Sequence, residues 1–362
     1  MTSTLSPLPA TANPVRRPLS PVYVWAGIGA VLLILEITAI TAWVTGPNFQ
    51  EVPTGPDQPP HWMRVVLDSL QVIGIIAAAV VAWFLLVRPL IRDHRLTLNG
   101  TFVIAGAFAS FWDGLSAAPQ QWFNYNSYLF NRGSVLSAVP GVLSPNSHGV
   151  GQSWPFFAIP AYIILVPALG ALGAFIMRRT KRQFPRLNGA GLIAAAALTL
   201  MTFEFVMEAF LLSPLGVYSL AGAPGPALFG DTFHRMPLME VVHGGMFFTV
   251  PGVLKYFVND VGETIAERGS QTIPGTGRRA TMRAVAVIGA IHVGFLVTYH
   301  LPVMAYGVNS SEYPDDVKQR SYFLGNACGE SLDIACPGPH TPVFRPGTGH
   351  LDWHGNFVPP SR

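Results

Sequence analysis

Charge is what this chain has least of. Only 11% of its 362 residues are Asp, Glu, Lys or Arg, against about 25% in a typical soluble domain. With 50% hydrophobic residues and a mean hydropathy of +0.39, that deficit argues against a water-soluble globule and places most of the chain in lipid. The net charge of +3 is too small to imply nucleic acid, and no basic run is interleaved with aromatics. Cysteine is almost missing. Cys328 and Cys336 are the only two; two thiolates cannot complete a zinc site, and His340 is not at finger spacing. There is no G-x-S-x-G elbow, no Walker loop and no dinucleotide fingerprint, which argues against nucleotide-driven chemistry. The histidine-rich boxes of membrane hydroxylases are absent as well. No metal and no cofactor are expected.

What the chain does have is long apolar runs. Seven stretches, about 22–45, 65–88, 100–117, 156–177, 189–213, 236–258 and 284–305, approach the ~20 residues needed to cross a bilayer. The third is the shortest. The sequence therefore predicts an all-α polytopic membrane protein, a bundle of about seven transmembrane helices, with a long outer loop at 118–155. Its expected divisions are a disordered tail at 1–21, a helical membrane domain at 22–305 and an extramembrane tail at 306–362. The first span is too long for a cleaved signal peptide and lacks an Ala-x-Ala site. Pro18 directly after Arg16 and Arg17 argues against a twin-arginine signal.

Basic residues orient the bundle. Fifteen of the 22 Lys and Arg, from Arg16 to Arg283, fall before span one or in the loops after spans two, four and six. The positive-inside rule makes that side cytoplasmic. The N-terminus is then inside, the C-terminus outside, and the location the cell membrane. Cys328 and Cys336 fall on the outer side, where an oxidising compartment permits a disulfide; two unpaired thiols are the alternative.

Against this apolar background a few ionisable residues stand out. Glu204 and Glu208 in MTFEFVMEAFLL are four apart, and Glu240 and His243 in MPLMEVVHGGMFF are three apart, so each pair shares a helical face. A charge at mid-bilayer costs roughly 2.5–3.5 kcal/mol on insertion scales, so such residues face a bundle interior and mark function. At 1.5 Å per residue, Glu204 and Glu208 lie about 22–28 Å along their span from the cytoplasm. Glu240, His243, His292, His300, Asp113, Asp68, Gln71 and Glu36 likewise fall at middle to outer depth. One polar cavity in the outer half is expected, with catalytic candidates Glu204, Glu208, Glu240, His243, Asp113 and His292. The inner half should be apolar packing, with the Ala run 194–197, Gly170 and Gly173 letting helices approach closely.

Blander readings stand beside each candidate. An acid can serve packing or pair with Arg235, a lone His can be a satisfied core residue, and Asp113 can cap a helix. In the outer loop, WFNYNSYLFN offers Trp122, Tyr125, Asn126 and Tyr128 as substrate-binding residues on a lid, although an interfacial aromatic belt accounts for the same aromatics. Glu240-x-x-His243 is one half of a di-iron carboxylate pattern, which needs two such units and two further Glu. Haem ligation by His243 with His292 or His300 has no spacing signature.

The stretches VTGPNFQEVPTGP at 44–56, WFNYNSYLFNRGS at 122–134, SPLGVYSLAGA at 213–223, HRMPLMEVVHGG at 234–245, KYFVND at 255–260, ERG at 267–269 and YPDDVKQRSYF with CGESLDIACPGP across 313–339 together resemble the avermectin-type, AveC-like spirocyclase family. The resemblance covers nearly the whole chain after about residue 20. It implies a bifunctional enzyme of actinobacterial polyketide biosynthesis. Such an enzyme closes a dihydroxy ketone to a spiroketal and influences dehydration of one ring. It carries over no catalytic residue. Spiroketal closure suits the residues found independently: a desolvated carboxylic acid can donate the proton and a neighbouring carboxylate can accept one. The expected partners are a lipophilic small-molecule substrate and membrane lipid. The competing reading is a transporter or channel for protons or a small lipophilic solute. Pro160, Pro167, Pro214 and Pro251 interrupt spans or their ends, but no inverted halves stand out. A scaffold that binds lipid or partner enzymes is the third class, and it predicts that the acids tolerate replacement by Leu.

Overall fold

The computed structural model describes residues 19–143, 149–151, 153–342, 344–345 and 347–360. The expected N-terminal tail, up to residue 18, lies outside them. Away from water, an apolar run can satisfy its backbone only internally, and the long runs form helices: α1 Pro21–Val44, α2 His61–Asp93, α3 Leu98–Asp113, α4 Ala158–Gln183, α5 Gly189–Leu212, α6 Leu238–Tyr256 and α7 Thr276–Val308. Thr97 and Asn188 cap α3 and α5, their side chains accepting from the amides of Gly100 and Gly191. Among the described residues, five helices (α1, α2, α4, α5 and α7) are long and apolar enough to cross a membrane. Their outward faces carry Val31, Ile34, Ile73 and Leu198, each about two-thirds exposed.

That is fewer than the seven spans expected. Helix α3 ends at Asp113 instead of running to 117, because the chain turns at Gly114 with Leu115 N–H donating to the Trp112 carbonyl. Its 16 residues reach about 24 Å at 1.5 Å each, short of a ~30 Å hydrocarbon layer. Eleven of the 16 are buried, so α3 is an inner element wrapped by the longer helices.

Glycines set how closely the helices pack. A Cβ on Gly29 of α1 would meet the Val285 carbonyl at 2.2 Å and the Gly289 backbone of α7 at 3.0 Å. Gly173 of α4 and Gly252 of α6 face each other in the same way, and Gly170 makes room for the Phe102 ring. Of the Ala run 194–197, only Ala196 is buried.

Four connecting segments gather at one end of the bundle and form a cap. Val52 N–H donates to Asn131 Oδ1, Asn126 N–H to the Val217 carbonyl, Ser127 N–H to the Tyr322 carbonyl, and Ser311 N–H to the Gly222 carbonyl. Asn124–Tyr125 (β1) pairs antiparallel with Tyr218–Ser219 (β2). The segment after α7 is part of this cap: Tyr313, Val317, Tyr322, Phe323 and Cys328 are buried in the same apolar cluster as Trp122 and Leu129. A disulfide joins Cys328 to Cys336. At the opposite end lie the basic connections, where Lys255 donates to Asn99 and Val22 N–H to the Arg268 carbonyl.

Candidate functional site: a carboxyl–phenol cavity under the cap

Where the bundle meets the cap, a cavity of about 260 Å³ is lined by Asp113 of α3, Tyr162 of α4, Glu204 and Glu208 of α5, Glu240 of α6, Tyr299 of α7, and Tyr125 and Tyr218 of the cap. The rest of its wall is apolar apart from Gly244, with Phe123, Phe157, Phe203 and Phe247 among it. The i, i+4 spacing puts Glu204 and Glu208 on one face of α5. From Glu208 to Leu212 the helix widens into a π turn, and α7 does the same over Leu296–His300. Such π turns recur at functional sites; here they carry Glu208 and Tyr299.

Three of the four carboxyls hold a phenol. Tyr125 Oη donates to Asp113, Tyr218 Oη donates to Glu208, and Tyr299 Oη donates to Glu240 Oε1 at 2.5 Å. Tyr162 also hydrogen-bonds Asp113. Glu204 differs. It is 2% exposed, its Oε2 has no hydrogen-bond partner among the described residues, and it lies against Gly244, where a Cβ would come within 2.5 Å of its Oε1. Among the described residues no Lys or Arg lines the cavity. Arg235, the ion-pair partner of the blander reading, directs its guanidinium at the Ala221 and Gly225 carbonyls. Burial, and after it the neighbouring Asp113 and Glu208, push the Tyr125 and Tyr218 phenols well above their ordinary value of 10.0. Both cap phenols therefore remain O–H donors at neutral pH.

Of the catalytic candidates, Glu204, Glu208, Glu240 and Asp113 are brought together, and His243 and His292 are not. His243 is half-buried beside Tyr306, ring centroids 6.1 Å apart, and does not line the cavity. His292 belongs to a second buried group: its Nδ1 lies 3.2 Å from Glu36 Oε1, its Nε2 lies 3.3 Å from the Ala105 carbonyl, and Trp112 Nε1 donates to Glu36 at 2.6 Å. His300 faces Ser116 Oγ at 3.1 Å.

Of the four proposed substrate-binding residues, only Tyr125 reaches the cavity. Trp122 Nε1 donates to the Ser116 carbonyl, Asn126 to the Gly216 carbonyl, and Tyr128 Oη to Asp68 on α2. They build the cap. Tyr162, Tyr218, Tyr299 and Gly244 line the cavity without having been singled out in the sequence. Among the described residues no group of three His, Cys, Asp or Glu is arranged to hold a metal ion.

No curated protein and no solved structure matches the chain. The model of a family described as "Spirocyclase AveC-like" matches residues 93–323. This match is narrower than the resemblance read from the sequence. It leaves out α1, nearly all of α2 and the segment that bears the disulfide, yet it holds every carboxyl and phenol of the cavity. It covers well over half of the sequence, and the chain belongs to the AveC-like spirocyclase family.

Proposed function

We propose that this chain is a cofactor-independent spirocyclase whose chemistry takes place in the carboxyl–phenol cavity. The observation that supports the reading is the convergence of four carboxyls from three helices, with phenol donors on three of them, in an otherwise apolar pocket that no Lys or Arg among the described residues lines. This is acid–base equipment of a single kind. It suits a reaction whose every step moves a proton on oxygen.

The substrate is a dihydroxy ketone, polyketide-like, with one hydroxyl already added to the carbonyl as a hemiketal. A carboxylic acid protonates the hemiketal hydroxyl, the C–O bond breaks, water leaves, and an oxocarbenium ion remains. The second hydroxyl attacks that carbon. As the new C–O bond forms, its proton passes to a carboxylate, and transfer of that proton back to the donor within the carboxyl cluster resets the catalyst for the next turnover. Glu204 is the proton donor in this account, because no phenol occupies it. Glu208, Glu240 and Asp113 stabilise the cation and accept the proton, each held by a phenol. General acid–base assistance of this kind contributes typically ~10²–10⁴-fold.

The apolar walls limit bulk water, which favours ketal over hydrolysis. At about 260 Å³ the cavity lies just below the ~300–1,000 Å³ usual for ligand pockets. It fits the ring-forming part of a substrate, with the remaining chain outside. Dehydration of a ring would use the same acid and base. We place the basic end of the bundle in the cytoplasm and the cap, with its disulfide, outside, in keeping with the distribution of Arg and Lys.

The test is deletion of the gene in its host and comparison of metabolites. An open-chain or hemiketal precursor, heavier than the missing product by one water, is the expected accumulation. An unchanged metabolite profile would remove the proposal.

A further inference from the structure

The cavity wall is closed in most directions. The cap residues Phe123, Tyr125 and Leu220 are 6%, 7% and 3% exposed, and Phe247 and Glu240 are buried behind. One lining residue is exposed. Phe203 of α5 shows 39% of its surface to the outside and also lines the cavity. On its outer side it borders a shallow groove along α5 formed with Leu198, Thr199, Thr202 and Val206. Its ring centroid lies 6.1 Å from that of Phe248, another lining residue. Phe203 is sequence neighbour to Glu204, and it stands about 21 Å along α5 from Gly189 at 1.5 Å per residue, on a helix apolar enough to cross a membrane. The half-buried lining residues Ala161 and Leu165 of α4, Met207 of α5 and Phe248 of α6 are apolar.

We propose that the cavity opens sideways, past the outer face of α5, into the hydrocarbon layer, and that the Phe203 ring is the leaf of this door. The ligand it admits is an apolar or weakly polar molecule dissolved in the bilayer. An aromatic ring can rotate aside without leaving an unsatisfied polar group in lipid, which a polar gate residue could not do. Entry through the cap would instead require separating buried backbone pairs such as Asn124–Ser219 and Tyr125–Tyr218. The door explains how a cavity too small for a long substrate can process one: the reacting segment enters and the rest stays in lipid. This inference deepens the spirocyclase reading and rests on it for the identity of the ligand, but the door itself can be tested without turnover.

The experiment uses the full chain in lipid nanodiscs and two carboxyl reagents, the lipid-soluble dicyclohexylcarbodiimide and a water-soluble carbodiimide, with modification of Glu204 located by mass spectrometry. The lipid-soluble reagent should modify Glu204 much faster than the water-soluble one. Phe203→Ala should speed that modification several-fold and Phe203→Trp should slow it several-fold. Leu198→Trp, on the same outer face but not lining the cavity, should leave it unchanged. Should one Phe203 variant misfold, the other and the reagent comparison still decide. Equal modification by both reagents, or a rate indifferent to residue 203, would overturn the door. Because labelling needs no substrate, a chain that proved to catalyse no cyclisation would still report on it.

Discussion

Gly244 offers the sharpest perturbation, because the three nearest atoms that a single added methyl group would meet all belong to the proposed proton donor. A Cβ there would lie 2.5 Å from Glu204 Oε1, 2.7 Å from its Cδ and 2.8 Å from its Cγ. Ordinary carbon contacts begin near 3.5 Å, so the carboxyl must move by about 1 Å. What moves is the end of a flexible side chain. The overpacking cost of roughly 1–3 kcal/mol is therefore expected at its low end, and it is partly offset by the ~1 kcal/mol advantage of Ala over Gly in a helix. Function should suffer more, since a 1 Å misplacement of a reacting group can cost ~10²-fold.

The neighbouring glycine supplies the contrast. A Cβ on Gly245 would meet Met201 Cα at 2.5 Å and its backbone N at 2.7 Å, so Gly245→Ala must push α5 away from α6. Thermal unfolding and cyclisation rate in nanodiscs separate the two. Gly244→Ala should be nearly as stable as wild type with a rate down by about two orders of magnitude. Gly245→Ala should lose both. Glu204→Ala combined with Gly244→Ala should remove the overpacking cost, giving a non-additive cycle. Equal destabilisation by the two glycine variants, or a wild-type rate in Gly244→Ala, would refute the reasoning.

Other outcomes follow from the same geometry. Tyr218→Phe and Tyr299→Phe each remove one phenol hydrogen bond to a carboxyl; at ~1.5–3 kcal/mol for a bond to a charged group, the cyclisation rate should fall by roughly one to two orders of magnitude, and the carboxyl left without its donor should lower the unfolding temperature as well. The buried phenols of Tyr125 and Tyr218 ionise above their ordinary 10.0. The folded state thus holds these protons more tightly than the unfolded state, and stability is fully present below pH ~10 and lost as pH rises beyond it. Unfolding temperature followed from pH 8 upward (~pH 8–11), with phenolate absorbance as the second readout, should show that onset, and Tyr218→Phe should shrink the loss. Replacing both Cys328 and Cys336 by Ser opens a short loop, worth about 2–3 kcal/mol on the loop-entropy estimate; unfolding should come earlier and cyclisation should persist, since neither residue lines the cavity. A reporter fused after residue 360 should be active outside the cell, and activity in the cytoplasm would invert the bundle.

Much of this site could be read from the sequence, because charge in an apolar segment is rare and helical period fixes which face bears it. Glu204, Glu208 and Glu240 followed from that logic, and Asp113 from its depth. Period says nothing about how one helix is rotated against a helix distant in the chain. His243 shares a turn with Glu240 yet faces Tyr306, and His292 turns to Glu36 of α1. The phenols were hidden for another reason. A Tyr near the end of an apolar run, such as Tyr162 or Tyr299, reads as an interfacial anchor, and Tyr218 sits in a loop whose pairing with Asn124–Tyr125 has no local signal. The aromatic and amide residues of the outer loop divide between cavity and cap, and Tyr125 alone of the four proposed substrate-binding residues lines the cavity. Trp122, Asn126 and Tyr128 spend their polar groups on holding the cap together. Helix α3 is shorter than the apolar run that contains it because apolar residues continue past Asp113 into a buried turn, where burial and not a span explains them.

The central claim is that Glu204 is the proton donor of a spiroketal closure. Its most direct measurement is cyclisation of a synthetic dihydroxy ketone by the purified chain in nanodiscs, with product configuration read by chiral chromatography, for wild type and Glu204→Gln. The account predicts one spiroketal stereoisomer from wild type and a loss of about 10²-fold or more in rate from Glu204→Gln, with Glu36→Gln, outside the cavity, retaining cyclisation. Full stereoselective closure by Glu204→Gln would contradict it.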